Sequence, residues 1–333
     1  MTYSSGSLIQ ATDYNTFTTT AGGLNDIWST GTGDKGWGQT TFTAVSAGNT
    51  VTATQWATLV NNLASSGSQT NTTLTSRSAP TTGTTISVLA NVATDIFSVT
   101  TNRGNAASVG TEYGTFSGTT SKTTATGSGQ TTWTITFTHT ITFADANSAR
   151  YFWNAGGRVR LQYGKSSTGT DIDADWNTFA GLCGSIYISG RVNSAPQTIA
   201  GTNYTGTTRI GGTGGTQTTL AATTGWYNLT AGAAATTLFQ LNNNNYIYTG
   251  QYIRTTAAVN AGSTTLTLVT TWVQPAVSAA GTTCNISGGT GVSSPATSIG
   301  AATAPTTLCT YIPPSTSFLT NTWGTPTIAA SVA

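Results

Sequence analysis

The chain has 333 residues, of which only 6% are charged, with eleven Lys and Arg against nine Asp and Glu and a net charge of +2. Ordinary soluble domains carry about 25% charged residues; here Thr, Ser, Asn, Gln and Gly solvate the surface instead, while nine Trp, twelve Tyr and ten Phe supply the mass of a folded core and exclude disorder. The scattered basic residues exclude a phosphate-binding stripe and thus nucleic acid as main partner, and no run approaches the roughly 18 apolar residues of a membrane span.

The first ten residues lack a basic n-region and an apolar h-region, so the chain is expected to be made in the cytoplasm and kept whole. Residues 1–65 hold an internal repeat: Gly6, Ala11, Thr12 and Thr16 recur as Gly48, Ala53, Thr54 and Thr58. Each copy predicts a short extended piece, a Thr N-cap and a short amphipathic helix. Tyr14 and Phe17 in one, and Trp56, Leu59 and Leu63 in the other, fall three and four apart on one helical face. The Gly-rich residues 31–39 lack the Lys-Ser/Thr and following helix of a phosphate loop. They read as a fixed surface loop anchored by Trp28 and Trp37. Residues 66–85 read as a Ser/Thr/Gly linker, 86–89 and 95–99 as strands, and 115–130 as a polar loop or hairpin.

Between residues 131 and 163 lies the most informative stretch. Trp133, Ile135, Phe137, His139, Ile141 and Phe143 alternate with mostly Thr neighbours, the period of a strand with one face buried. Asp145 or Asn147 can cap a helix carrying Tyr151, Phe152 and Trp153, which Ala155-Gly156-Gly157 ends. Residues 158–163 alternate again. A helix is predicted over 175–181, where Asp175 to Phe179 echoes Asp13 to Phe17, and a strand over 185–189. Residues 191–224 read as a long exposed loop, a usual carrier of binding function. From residue 225 the chain is strand-rich, with runs at 226–229, 237–241, 246–254 and 264–273. Tyr246, Tyr248 and Tyr252 give one face a Tyr ladder, and Pro313-Pro314 and Trp323 mark a final extended tail.

The fold class is therefore mainly β: antiparallel β-sandwich domains preceded by a small module of two short helices and a Gly/Trp loop. The divisions are 1–65 (an attachment module), 66–85, 86–224 (a central sandwich with short helices) and 225–333, which either continues that sandwich or forms a second one.

Chemistry-bearing residues are few. His139, the only His, shares the core phase of its strand and reads as structural. Asp171, Asp173 and Asp175 have the spacing that opens an EF-hand, but Trp176 stands where that loop needs Gly, and Leu182 where it needs Glu. They remain a weak Ca²⁺ candidate beside the plainer reading of acids at a helix N-terminus. Glu112 is the only Glu, and nothing pairs acids for glycoside hydrolysis. No catalytic residue or cofactor is expected. Arg158 and Arg160 share a strand face, suited to an acidic partner, a glycan or local ion pairs. Cys183, Cys284 and Cys309 read as small buried hydrophobes, with a Cys284–Cys309 disulfide as the alternative.

Three pieces together resemble structural proteins of tailed bacteriophages, especially cyanobacterial and marine phages. One is Ile9, Ala11-Thr12-Asp13-Tyr14-Asn15, residues 31–39 and Val51-Thr52-Ala53-Thr54-Gln55-Trp56. Another is Phe143 with Arg150-Tyr151-Phe152-Trp153-Asn154-Ala155-Gly156-Gly157-Arg158-Val159-Arg160. The third is the tail from Pro314 through Phe318, Trp323 and Pro326. The resemblance implies a non-enzymatic virion component of the neck, collar, tail or fibre. It would assemble with copies of itself and with other virion proteins. Tyr14, Trp28, Trp37, Trp56, Tyr246, Tyr248, Tyr252, Arg158 and Arg160 are the candidate interface residues. The other expectation is a receptor-binding adhesin holding host glycan through residues 191–224 and the Tyr ladder.

Overall fold

The computed structural model describes residues 11–83, 91–105, 120–121, 133–165, 171–190, 197–212, 218–243, 250–275 and 305–333, with backbone alone at 120, 121, 133 and 171–173. Among these are six α-helices and thirteen strands, and every strand pair is antiparallel.

The N-terminal helices are α1 (Ala11–Thr18), α2 (Asn25–Trp28), α3 (Ala53–Gln69) and α4 (Val92–Thr101). The helix of the second repeat copy is not short. Its cap is Thr52: the Thr52 hydroxyl accepts from Gln55 N while the Gln55 side chain accepts from Thr52 N, a reciprocal capping box. The helix then runs to Gln69, past the expected start of the linker. The predicted faces pack together, with Tyr14 and Phe17 both edge-on to Trp56 at 5.6 and 5.9 Å. Residues 95–99, expected as a strand, lie in α4. Val92, Ile96 and Val99, all buried, recur at helical spacing, which outweighs the β-branched composition. The expected strand at 86–89 and most of the 115–130 segment lie outside the described residues.

The remaining elements are β1 (Thr120–Ser121), β2 (Trp133–Thr142), α5 (Ala146–Asn154), β3 (Arg158–Gly164), α6 (Asp171–Cys183), β4 (Ser185–Ile188), β5 (Gln197–Ile199), β6 (Thr202–Tyr204), β7 (Thr207–Ile210), β8 (Thr218–Leu220), β9 (Thr236–Asn242), β10 (Tyr252–Val259), β11 (Thr265–Gln274), β12 (Thr306–Ile312) and β13 (Thr327–Val332). One sheet has the order β1-β12-β3-β4-β7, a second β13-β2-β11-β10-β9-β8, and β5 and β6 form a hairpin. Both large sheets take strands from either side of residue 225: β9, β10 and β11 join β2, and β12 lies between β1 and β3. Within residues 191–224, the described parts hold four short strands rather than one open loop. The expected strand at 226–229 is a 3-10 turn, Trp226–Asn228, whose Trp226 packs inward.

Alternation does its expected work. β10 and β11 bury every second residue, and β2 buries Ile135, Phe137, His139 and Ile141 on one face. The two large sheets meet through these faces. The Tyr163 ring on β3 stacks on Phe239 of β9 at 6.0 Å, and its hydroxyl shares a 2.8 Å hydrogen bond with Thr255 of β10. Trp272 of β11 donates to the Thr307 hydroxyl of β12 at 3.3 Å. Fully burying such a ring stabilises the fold by about 1.5–3 kcal/mol relative to leaving it exposed.

The stretch from 143 to 157 folds as read. Asp145 caps α5 by accepting from Ser148 N at 2.7 Å. At its other end Gly157 N donates to Phe152 O and Gly156 N to Trp153 O, with Gly156 at φ 107°, the paired bonds and left-handed residue of a Schellman ending. Phe152 and Trp153 join Phe143, Trp226 and Tyr311 in one aromatic cluster, Trp153 stacking on Trp226 at 5.4 Å.

Candidate functional site

Outside the sheets, a hydrogen-bonded clamp joins the three segments of the resemblance. Residues 31–39 are pinned first by their own neighbours: Gly38 N donates to Ser29 O and Gln39 N to Trp28 O, and Trp28 lies edge-on to Trp37 at 6.5 Å. Helix α5 then holds the loop from one side. Asn154 Nδ2 donates to the carbonyls of Gly33, Lys35 and Gly36 at 3.2, 2.9 and 3.1 Å, and Arg150 donates to Lys35 O at 2.8 Å. Trp37 Nε1 answers by donating to Asn154 O at 3.2 Å. The C-terminal tail holds the other side. Gln39 Nε2 donates to Thr320 O at 2.9 Å, its Oε1 accepts from Thr320 N and Oγ1 at 3.0 and 2.6 Å, and Thr322 Oγ1 donates to Trp37 O at 2.5 Å. Gly38 has φ 69°, and a side chain there would run into the Tyr151 ring, so the approach of loop to helix requires glycine.

Two cations fix the rim of the loop, Lys35 to Asp26 at 2.6 Å and Arg103 to Asp34 at 2.7 Å. A more deeply buried pair, Arg77 with Asp95 at 2.5 Å, ties the segment after α3 to α4. It lies beside a cleft of about 520 Å³ between the C-terminal half of α3 and residues 71–77.

The sequence-predicted site residues are placed as follows. Tyr14, Trp28, Trp37 and Trp56 are buried within the chain itself, so they anchor its own core rather than present a free surface. Arg158 is also buried, its guanidinium 4.4 Å from the centre of the Tyr204 ring, while Arg160 is half-buried on β3. Tyr252 is half-buried with Arg254 over its ring at 5.3 Å, and Tyr246 and Tyr248 lie outside the described residues.

Asp171, Asp173 and Asp175 lie in α6, whose helical backbone cannot wrap a cation as an EF-hand loop does. Asp175 is buried and accepts from Asn243 Nδ2 at 2.7 Å and, with the Gln251 amide nitrogen turned toward it, from Gln251 at 2.6 Å. Among the described residues no three His, Cys, Asp or Glu side chains gather as a metal site. Cys309 is buried on β12, and Cys284, the other half of the disulfide alternative, lies outside the described residues. Burial pushes the Cys183, Cys309 and Tyr163 groups far above their ordinary values, so all three are neutral and none is a nucleophile at neutral pH.

The clamp's polar residues Asn154, Gln39 and Thr320 were not singled out as site candidates. All three lie inside the quoted segments, but nothing in one sequence tells which carbonyl an amide will meet 118 or 281 residues away. No family model, no curated protein and no solved structure matches this chain.

Proposed function

We propose that the chain is a non-enzymatic structural component of a tailed-phage virion, working in the neck, collar, tail or fibre by oligomeric assembly. In this reading the two facing sheets are a β-sandwich, the helices and loop of residues 11–65 form an attachment module, and the partners are copies of itself and other virion proteins. One observation carries the reading: the segments on which the resemblance rests form one hydrogen-bonded clamp, through Asn154, Gln39 and Thr320. They therefore form a single architectural unit, which suits a module built for assembly. A chain with only 6% charged residues also has little self-repulsion to keep copies apart.

The test is the mass and symmetry of the purified protein, by light scattering with electron microscopy of the same sample. A ring, trimer or filament of defined symmetry, or uptake into particles, is the expected result. A strict monomer that no virion protein captures sinks the proposal.

The adhesin reading draws support from a cleft of about 260 Å³ lined by Asn147, Arg150, Tyr227 and Ser263 among others. Aromatic and amide side chains of this kind suit a saccharide. Trp226 stacks on Trp153 inside the core, so Tyr227→Ala is the sharper probe. Glycan-array binding lost in that variant, with the fold intact, favours the adhesin; no glycan bound by the unaltered protein removes it.

A further inference from the structure

The two large sheets have four ends, and three of them are short: β1 has two residues, β8 three and β7 four. Short edge strands are one way in which proteins prevent unwanted pairing; Lys, Pro and bulges are others. The fourth end, β13, uses none of these. It has six residues, Thr327 to Val332, and none is charged or Pro. Its register with β2 runs unbroken from Thr327 opposite Thr142 to Val332 opposite Phe137. Most of its side chains are exposed. β1 passes beside it, but the two residues of β1 pair with β12.

The parity of the free edge follows from the ladder. Ala333 and Thr136 exchange both backbone hydrogen bonds, at 3.0 and 2.9 Å. In an antiparallel pair such doubly bonded residues alternate with unbonded ones. Ser331, Ala329 and Thr327 therefore turn their backbone groups toward β2. Ile328, Ala330 and Val332 turn theirs outward, and among the described residues no strand pairs with them.

We infer that this edge pairs with the same edge of a second copy, β13 against β13 across a two-fold axis centred on Ala330. This rests on the assembly reading and gives it a surface and a partner. The strand is complementary to itself in that register. Ala330 meets its counterpart and exchanges two bonds with it, and Ile328 meets Val332 twice, so the outward donors and acceptors are all used. Ala329 falls opposite Ser331 in the close, unbonded pairs, where side chains that small fit without clash. Neither β13 nor β2 carries a formal charge to repel a like chain. The product is one continuous sheet of twelve strands, twice the six of a single copy, and the interface is isologous.

The experiment uses the full chain in a concentration series, with sedimentation to read association and residue-resolved hydrogen exchange to read the edge. Ala330→Pro removes an outward donor and no bond to β2, so it is tolerated in the fold as an edge proline is. Ala330→Lys adds a charge there and serves as a second variant. The expected result is an even-numbered oligomer in which the Ile328, Ala330 and Val332 amides gain protection as concentration rises. The Thr327, Ala329 and Ser331 amides should be protected throughout. Both variants should weaken the pairing at least about tenfold, some 1.4 kcal/mol, with the unfolding midpoint of the dilute monomer unchanged. If the chain assembles yet both variants assemble equally well, the edge inference is wrong and the assembly reading stands. If β13 pairs but only a dimer ever forms, and no particle takes it up, the edge stands and the virion reading fails. If no self-association occurs at any concentration, the edge inference is overturned.

Discussion

Asn154 has a single side-chain amide and spends it four ways, three toward loop carbonyls and one accepting the Tyr227 hydroxyl at 2.6 Å. Leaving a buried polar group without a partner costs about 1–3 kcal/mol, whereas a typical hydrogen bond nets only about 0.5–1.5. Asn154→Ala is therefore expected to destabilise the protein by about 2–4 kcal/mol, and Tyr227→Phe, which removes one bond, by about 1. Urea unfolding of the two variants checks the ratio; equal small losses would mean that water replaces the amide. The buried thiols give a second expectation. Cys183 and Cys309 ordinarily ionise near 9.0 and Tyr163 near 10.0, and burial raises all three. A group whose folded value is raised contributes stability that is whole below its unfolded value and lost as pH rises above it. The fold should thus weaken from about pH 9 upward, and Cys309→Ser, which removes one such group, should flatten the alkaline limb. Thiol labelling mapped by mass spectrometry should leave Cys183 and Cys309 unmodified until denaturant is added.

At the scale of elements, the ends of the helices carry the clearest physics. Gly156 sits at φ 107°, where a side chain is strained, so Gly156→Ala should cost about 1–2 kcal/mol. Thr52→Ala, which opens the capping box of α3, should cost about 1 kcal/mol. Thermal melts of the two variants measure this, and no loss in Gly156→Ala would mean that α5 can end another way. These ends were legible in the sequence because caps and glycines act within four or five residues. The β2, α5, β3 run was legible for the same reason, since its alternation and its helix stop are local. The misreadings have a local cause too. Residues 95–99 are rich in apolar and β-branched side chains, and their helical period shows only when Val92 is included. The interface aromatics are a different case: Trp28, Trp37 and Trp56, buried in this chain, look alike in sequence whether they face a second copy or their own core. Only the folded chain distinguishes these cases, because the partners of those rings come from separate segments.

For the molecule as a whole, the two ends of the described chain are joined. Gln39 bonds Thr320 across 281 positions in sequence, Thr322 bonds Trp37, and Leu319 and Trp323 are buried beside them. The N-terminal helices should thus open together with the sheets rather than as a separate domain, despite the linker-like composition of residues 66–85. Amide exchange in the unaltered protein is expected to give residues 31–39 an opening free energy close to that of β10 and β11. Gln39→Ala removes three bonds to Thr320, each worth about 0.5–1.5 kcal/mol net, and leaves the sheets untouched. In that variant the loop amides should exchange through a lower-energy opening, by about 1–3 kcal/mol, while β10 and β11 keep their protection. A loop that already exchanges rapidly in the unaltered chain would show the clamp to be weak in solution. Equal losses in loop and sheets would show instead that the tail and the sheets form one indivisible unit, with no local opening of the clamp ahead of the rest.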